Sequence, residues 1–215
     1  MAEALDRRQQ IIDSAAASFA SRGVAATTVR QIADEVGILS GSLYHHFESK
    51  EAIVEAIISP YLDELRVRYR EALSGAGDPP TRLRNLVAAS LATAATHPQA
   101  TEIYQNDVNY LRGFERFAFL RDVQREVRAA WLAVINEGVA TGAFRSDVDP
   151  QVFYRLIRDA VWLSVRWFYP SDDYPVSRLA DQCTAVFLDG LAARPAAPAA
   201  PSSRRRRSAA RTSAS

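Results

Sequence analysis

The sequence contains one cysteine and one methionine in 215 residues, and its only lysine is Lys50. A single thiol, Cys183, excludes an internal disulfide and fits a reducing compartment. Set in an apolar helical stretch, it reads as a small buried hydrophobe. No run of about eighteen apolar residues occurs, so hydropathy gives no membrane-spanning helix and no membrane partner is expected. The opening residues, MAEALDRRQQ, carry acids and lack an apolar centre. No signal peptide is predicted there, and the expected location is the cytoplasm. Strand-like alternation is missing throughout, which points to an all-α fold. Also missing are a nucleophile–base pair, a phosphate-binding glycine loop and a metal-ligand cluster, so no catalytic residue, metal or cofactor is expected. His97, beside Pro98, has no second ligand at metal spacing and reads as a loop or cap residue.

Charge is nearly balanced, at +1 overall, but unevenly placed. From Arg194 onward the chain has six arginines and no acid, so the remainder carries 20 basic against 25 acidic residues, a net of −5. The body is therefore not a DNA-coating protein, and any affinity for DNA must come from a local surface or from the tail. Residues 192–215 are Ala, Pro, Ser and Arg, a composition that cannot bury a core and predicts disorder. Arg204 to Arg207 fit either a sequence-blind contribution to DNA binding or an inert solubilising tail.

Thr27 to Lys50, TTVRQIADEVGILSGSLYHHFESK, is organised as a helix-turn-helix. Thr28 and Gln31 are spaced as a capping box. Ile32 and Val36 mark one apolar face, and Ala33 is small where two helices cross. Gly37 suits the left-handed backbone that ends a helix. Ile38 and Leu43 would lock a second helix, about Ser40 to His46, against the first. This helix exposes Ser40, Gly41, Ser42, Tyr44 and His45, residue types suited to phosphates and base edges. Lys50 lies beside the cap Ser49, where the helix dipole disfavours a cation, unless a bound phosphate accepts both its charge and the free N–H groups.

The first helix should carry a capping box of Asp6 and Gln9 and bury Ile11, Ile12, Ala15, Ala16 and Phe19. A long helix from Ser49 to about Gly75 links head to body. Gly75 to Pro80 is a break. A helix then follows over Thr81 to Thr96, residues 100–120 are dense in aromatics, and a long helix runs along Val123 to about Thr141. Asp149-Pro150 provides a cap and an N1 proline for a helix ending at Pro170. A last helix, Val176 to Leu191, has an apolar stripe of Leu179, Cys183, Val186, Phe187 and Gly190. Domains are expected at 1–50 (helix-turn-helix head), 51–191 (body) and 192–215 (tail), with about nine helices in all.

Within DPQVFYRLIRDAVWLSVRWFY, Phe153, Leu156, Ile157, Ala160, Val161, Leu163, Ser164 and Val165 predict a helix buried almost all round. It nevertheless carries Arg158 and, one turn on, Trp162. A buried arginine needs an anion. The candidates are an internal carboxylate such as Asp107 or Asp122, an acid of a second subunit, or an anionic or carbonyl-bearing ligand held against Trp162.

TVRQIADEVG followed by GSLYHHFESK resembles the DNA-binding domain of the TetR family of bacterial one-component repressors. One departure is His46, which falls where an apolar residue is common and is expected to be half buried. IYQNDV and YRLIRDAVWLSVRWFYP resemble the ligand domain of a TetR subgroup found in mycobacteria and rhodococci. The resemblance spans most of residues 9 to 190. It implies a homodimer on a palindromic double-stranded operator, with Thr28, Leu39, Ser40, Gly41, Ser42, Tyr44, His45 and Lys50 toward DNA. It implies a four-helix interface built from the last two helices of each copy. For the subgroup it implies repression of cholesterol-ring degradation genes, relieved by a CoA thioester of a bicyclic steroid remnant. Arg158 and Trp162, with Tyr104 and Gln105, are then the effector-binding candidates. Arg121, Arg125 and Arg128, along one helix, are candidates for its phosphates or a solvated face. A repressor of an efflux or other lipid-metabolism operon is the nearest alternative; an acyl-CoA enzyme and an effector-free architectural DNA binder are further ones.

Overall fold

The computed structural model describes residues 2–75 and 77–191. The tail from residue 192, including Arg204 to Arg207, lies outside them. The described residues form nine α-helices and no strand: α1 Ala2–Arg22, α2 Val29–Val36, α3 Ser40–Leu43, α4 Lys50–Ser74, α5 Pro79–Thr96, α6 Pro98–Leu111, α7 Leu120–Ala140, α8 Pro150–Trp162 and α9 Val176–Leu191. Short 3₁₀ turns, Glu115–Phe117 and Leu163–Arg166, precede α7 and follow α8.

Helices α1 to α3 form the head. Thr28 caps α2 with its hydroxyl on the Gln31 amide, and Gln31 returns a bond to the Thr28 amide, completing the capping box. Gly37 closes α2 at φ 74°, the left-handed region. The capping box expected at Asp6 and Gln9 does not form. Helix α1 starts earlier, so both residues sit inside it, with Gln10 donating to Asp6 and Gln9 to Asp13. Helix α1 holds α2 through one carboxylate: Glu35 accepts from Ser14 (2.8 Å), Ser18 (2.7 Å) and Arg22 (2.8 Å). The Arg22 and serine bonds hold its carboxyl down at about 2.

Helix α4 leaves the head and enters the body. At 25 residues it is about 37 Å long, burying Ile53, Val54 and Ile57 near one end and Leu62, Leu65 and Tyr69 toward the other. Pro60 lies inside it. Helix α5 is the centre of the body and packs against α4, α6, α7, α8 and α9. Helix α7 buries Val123, Val127, Trp131, Val134 and Ile135, the stripe read from its periodicity.

Two expectations for the C-terminal third need correction. The helix from Asp149 stops at Trp162 and tightens into a 3₁₀ turn instead of running to Pro170. There the Ser164 hydroxyl bonds the Val161 carbonyl and competes with the α-helical ladder. Nor is α8 buried all round: Leu156 is 61% exposed, and Ala160 and Leu163 are also on the surface. In α9, Leu179 packs into the chain's own core, while Val186 is 70% exposed. Val152, Leu156 and Val186 thus form apolar surface on α8 and α9.

Two predictions follow from this packing. A Cβ on Gly138 would lie 2.0 Å from the buried Phe144 ring. Gly138→Ala should therefore cost about 2 kcal/mol in chemical unfolding, despite the better helix propensity of alanine. Glu35→Gln should cost about 1 kcal/mol at pH 7. Because the folded carboxyl titrates near 2 rather than 4.5, wild-type Glu35 contributes fully above about pH 4.5. Its advantage over the glutamine variant should narrow as pH falls below that and close near pH 2, measured by urea unfolding across the range.

Candidate functional site

The head presents a continuous set of sequence-predicted residues. Ile32, Ala33 and Leu43 are fully buried and fix α3 against α2. Thr28, Leu39, Gly41, Tyr44 and His45 are exposed, and Ser40 and Ser42 are half-buried. Leu39, at 80% exposure, is an apolar side chain held out on the surface of the head. Helix α3 is one turn long, and the chain continues to His46 as a turn rather than a helix. His46 is half-buried, as expected.

Lys50 differs from the expectation of a free cation directed at phosphate. Its ammonium donates to the carbonyls of Val24 (2.7 Å) and Thr27 (3.1 Å). The start of α4 repels positive charge, and these two acceptors offset that repulsion. Ser49 caps the helix by accepting from the Ala52 amide. Lys50 therefore binds the α1–α2 loop to α4, with two of its three ammonium hydrogens engaged.

The body reaches the head at two points that sequence reasoning missed. Arg116, in the turn before α7, is ion-paired with Glu48 and Glu55. Asp107, on α6, accepts the Val24 amide on Oδ1 at 3.3 Å, while its buried Oδ2 has no partner among the described residues. Burial pushes its carboxyl up, opposed by the Val24 bond and the Lys50 charge. Arg116 belongs to no motif read from the sequence, and Asp107, within IYQNDV, was considered only as a partner for Arg158; both find their partners far away in the chain.

Between α6, α7 and α8 lies a cavity of about 430 Å³. It gathers all four effector candidates, Tyr104, Gln105, Arg158 and Trp162. Tyr104 and Trp162 meet edge to face, with ring centroids 6.4 Å apart. Gln105 donates to the Trp162 carbonyl at 2.6 Å, and its own buried oxygen has no partner among the described residues. Burial pushes the Tyr104 phenol up to about 12, so it remains a neutral hydrogen-bonding group.

The cavity's charge comes from four arginines, Arg112, Arg128, Arg155 and Arg158, against the single carboxylate Asp159. Arg158 is not the deeply buried group the sequence implied. Its side chain is 38% exposed and pairs with neighbouring Asp159, not with Asp107 or Asp122. It also lies 5.9 Å from the Tyr154 ring centroid. Of the three arginines considered for phosphate contact, only Arg128 lines the cavity. Arg121 and Arg125 are exposed outside it, and Arg125 pairs with Asp122. Arg112 and Arg155 were missed, and the buried Arg112 Nε has no partner among the described residues. Such an arrangement can bind a ligand with an anionic part and an aromatic-facing apolar part. No group of three His, Cys, Asp or Glu suited to a metal occurs among the described residues. No helix there is long and apolar enough to cross a membrane.

Known proteins resemble the chain in sequence and fold. Residues 11–57 match the family model for bacterial regulatory proteins of the tetR family, and residues 76–191 match a tetracyclin repressor-like C-terminal domain. The chain is 44% identical to the HTH-type transcriptional repressor KstR2 of Rhodococcus jostii, over 86% of this chain and 91% of that protein. It is 42% identical to KstR2 of Mycobacterium tuberculosis, over 86% and 92%. The solved structure of the ketosteroid transcriptional regulator KstR2 of M. tuberculosis aligns with a TM-score of 0.79 at 41% identity, covering 86% of this chain and 95% of that one. AibR in complex with isovaleryl coenzyme A and operator DNA shares the fold, with a TM-score of 0.69 at 21% identity over 84% and 97%. With both halves matched and the helix-turn-helix head in place, the chain belongs to the TetR family of bacterial transcriptional regulators and is a regulator, not an enzyme.

Proposed function

We propose that this protein is a dimeric repressor of steroid-ring catabolic genes, released from a palindromic operator by a CoA thioester of a bicyclic steroid remnant. The observation that carries this reading is the cavity itself: four arginines surround a pocket walled by Tyr104 and Trp162, in a chain 42–44% identical to repressors named KstR2. The phosphates of a CoA group are multiply anionic, and guanidinium groups hold them bidentately. The apolar acyl part would lie against Trp162 and Tyr104. The unpaired oxygen of Gln105 and the unpaired Nε of Arg112 offer one acceptor and one donor for the ligand's polar atoms. Four arginines also disfavour a lipophilic cation, the ligand expected of a drug-efflux regulator.

One short recognition helix reads too few base pairs to specify an operator, and a two-fold dimer doubles the readout. The apolar surface of Val152, Leu156 and Val186 supports α8 and α9 as the self-complementary interface. An effector with higher affinity for a dimer whose heads are wrongly spaced would shift the population away from the operator-bound form. Repression would end without any bond being made or broken.

The test is binding of the purified protein to a labelled palindromic fragment from its own upstream region. It is run alone and with a steroid-derived CoA thioester, free CoA or the free acid. Release by the thioester alone is expected; operator affinity indifferent to all three would overturn the proposal. In the same assay Arg158→Ala should weaken the thioester about tenfold, as expected for loss of a charge-assisted contact, and leave ligand-free operator affinity within about twofold.

A further inference from the structure

Helix α6 separates two sites. Gln105 lies on its cavity side, with Tyr104 and Arg112. Asp107, two positions on and about 200° around the axis, meets the α1–α2 loop at Val24. The same loop residue is held from both ends. The Val24 amide donates to Asp107 of the body, and its carbonyl accepts from Lys50 at the start of α4. Gly23 turns the chain there at φ 85°, and a Cβ on it would lie 3.6 Å from Asp107 Oδ1, so the carboxylate sits close over the loop. Three residues beyond Thr28 in the chain, Gln31 closes the cap of α2. Val24 is thus close to the first turn of the helix that supports the recognition helix.

We infer that Asp107 is the positioning residue through which filling of the α6–α8 cavity is communicated to the head, by way of its bond to the Val24 amide. This rests on the cavity being the effector site proposed above. Helix α6 is a single 14-residue helix, so a ligand that pushes on Gln105 displaces Asp107 with it. Packed elements move as units rather than deforming locally. The bond is 3.3 Å long and, among the described residues, is the one hydrogen bond made by a buried carboxylate whose other oxygen has no partner. A small displacement of α6 is therefore enough to break it.

The test compares full-length wild type, Asp107→Ala and Asp107→Asn, each first checked for a cooperative thermal transition. The first readout uses no ligand: hydrogen exchange at the Val24 amide. It should be at least tenfold faster in the alanine variant and near wild type in the asparagine variant, whose carbonyl still accepts. The second is operator affinity. The alanine variant should bind the operator about tenfold more weakly than wild type without ligand. A steroid-derived CoA thioester should then weaken it less than threefold further, while binding to the DNA-free protein stays within about threefold of wild type. Asparagine should restore the wild-type response. Unchanged Val24 exchange in the alanine variant, or a wild-type ratio of operator affinities with and without thioester, would overturn the inference. Should wild type itself ignore the thioester, the effector proposal fails, and the ligand-free exchange and operator affinity decide the role of Asp107 alone.

Discussion

Lys50 holds two backbone carbonyls, Val24 and Thr27, that no helix or sheet would otherwise satisfy. An unpaired carbonyl in a half-buried loop costs free energy comparable to a lost hydrogen bond. Three features depend on this interaction being made: the path of the α1–α2 loop, the placement of Thr28 at the cap of α2, and the approach of α4 to α1. A lysine suits the position because its ammonium is a compact charge with three donors that can diverge toward separate acceptors. A planar guanidinium, the chain's otherwise universal choice of cation, presents its donors in a fixed fork.

The body solves a different electrostatic problem. Several arginines outside the cavity are matched by nearby acids: Arg66 with Glu126, Arg82 with Glu137, Arg145 with Asp147. Around the cavity the balance is broken, with one carboxylate for four guanidinium groups. Like charges gathered on one concave wall repel each other, and an anion arriving there relieves that repulsion as well as forming its own contacts. Aromatic rings behind the arginines lower the local polarity and strengthen the attraction.

Legibility in the sequence followed the range of the interactions. The helix-turn-helix was readable because capping boxes, glycine stops and apolar spacing act within a few residues. Thr28, Gln31 and Gly37 all stand as their types predicted. The cavity was half readable: an arginine one turn from a tryptophan on one helix is a local signal, and Tyr104 and Gln105 joined them across some 55 residues of chain. Arg112 and Arg155 were missed because only the folded chain brings the end of α6 and the surface of α8 to one cavity. The exposure of Leu156 was misread for a related reason. Composition shows that a helix face is apolar but not which molecule covers it. Asp107 was assigned the wrong kind of partner, an arginine, since its real one is a main-chain amide 83 residues away, and backbone groups leave no trace in residue identity.

Pro60 interrupts α4 in the middle of its run between head and body. Lacking an N–H, it leaves the carbonyl one turn earlier without its ladder bond, and its ring crowds the same turn. A helix is a stiff rod where the ladder is whole and a softer one where it is not. Mechanically, α4 is stiff on either side of a softer turn between residues 56 and 60, part of the way along its path from head to body.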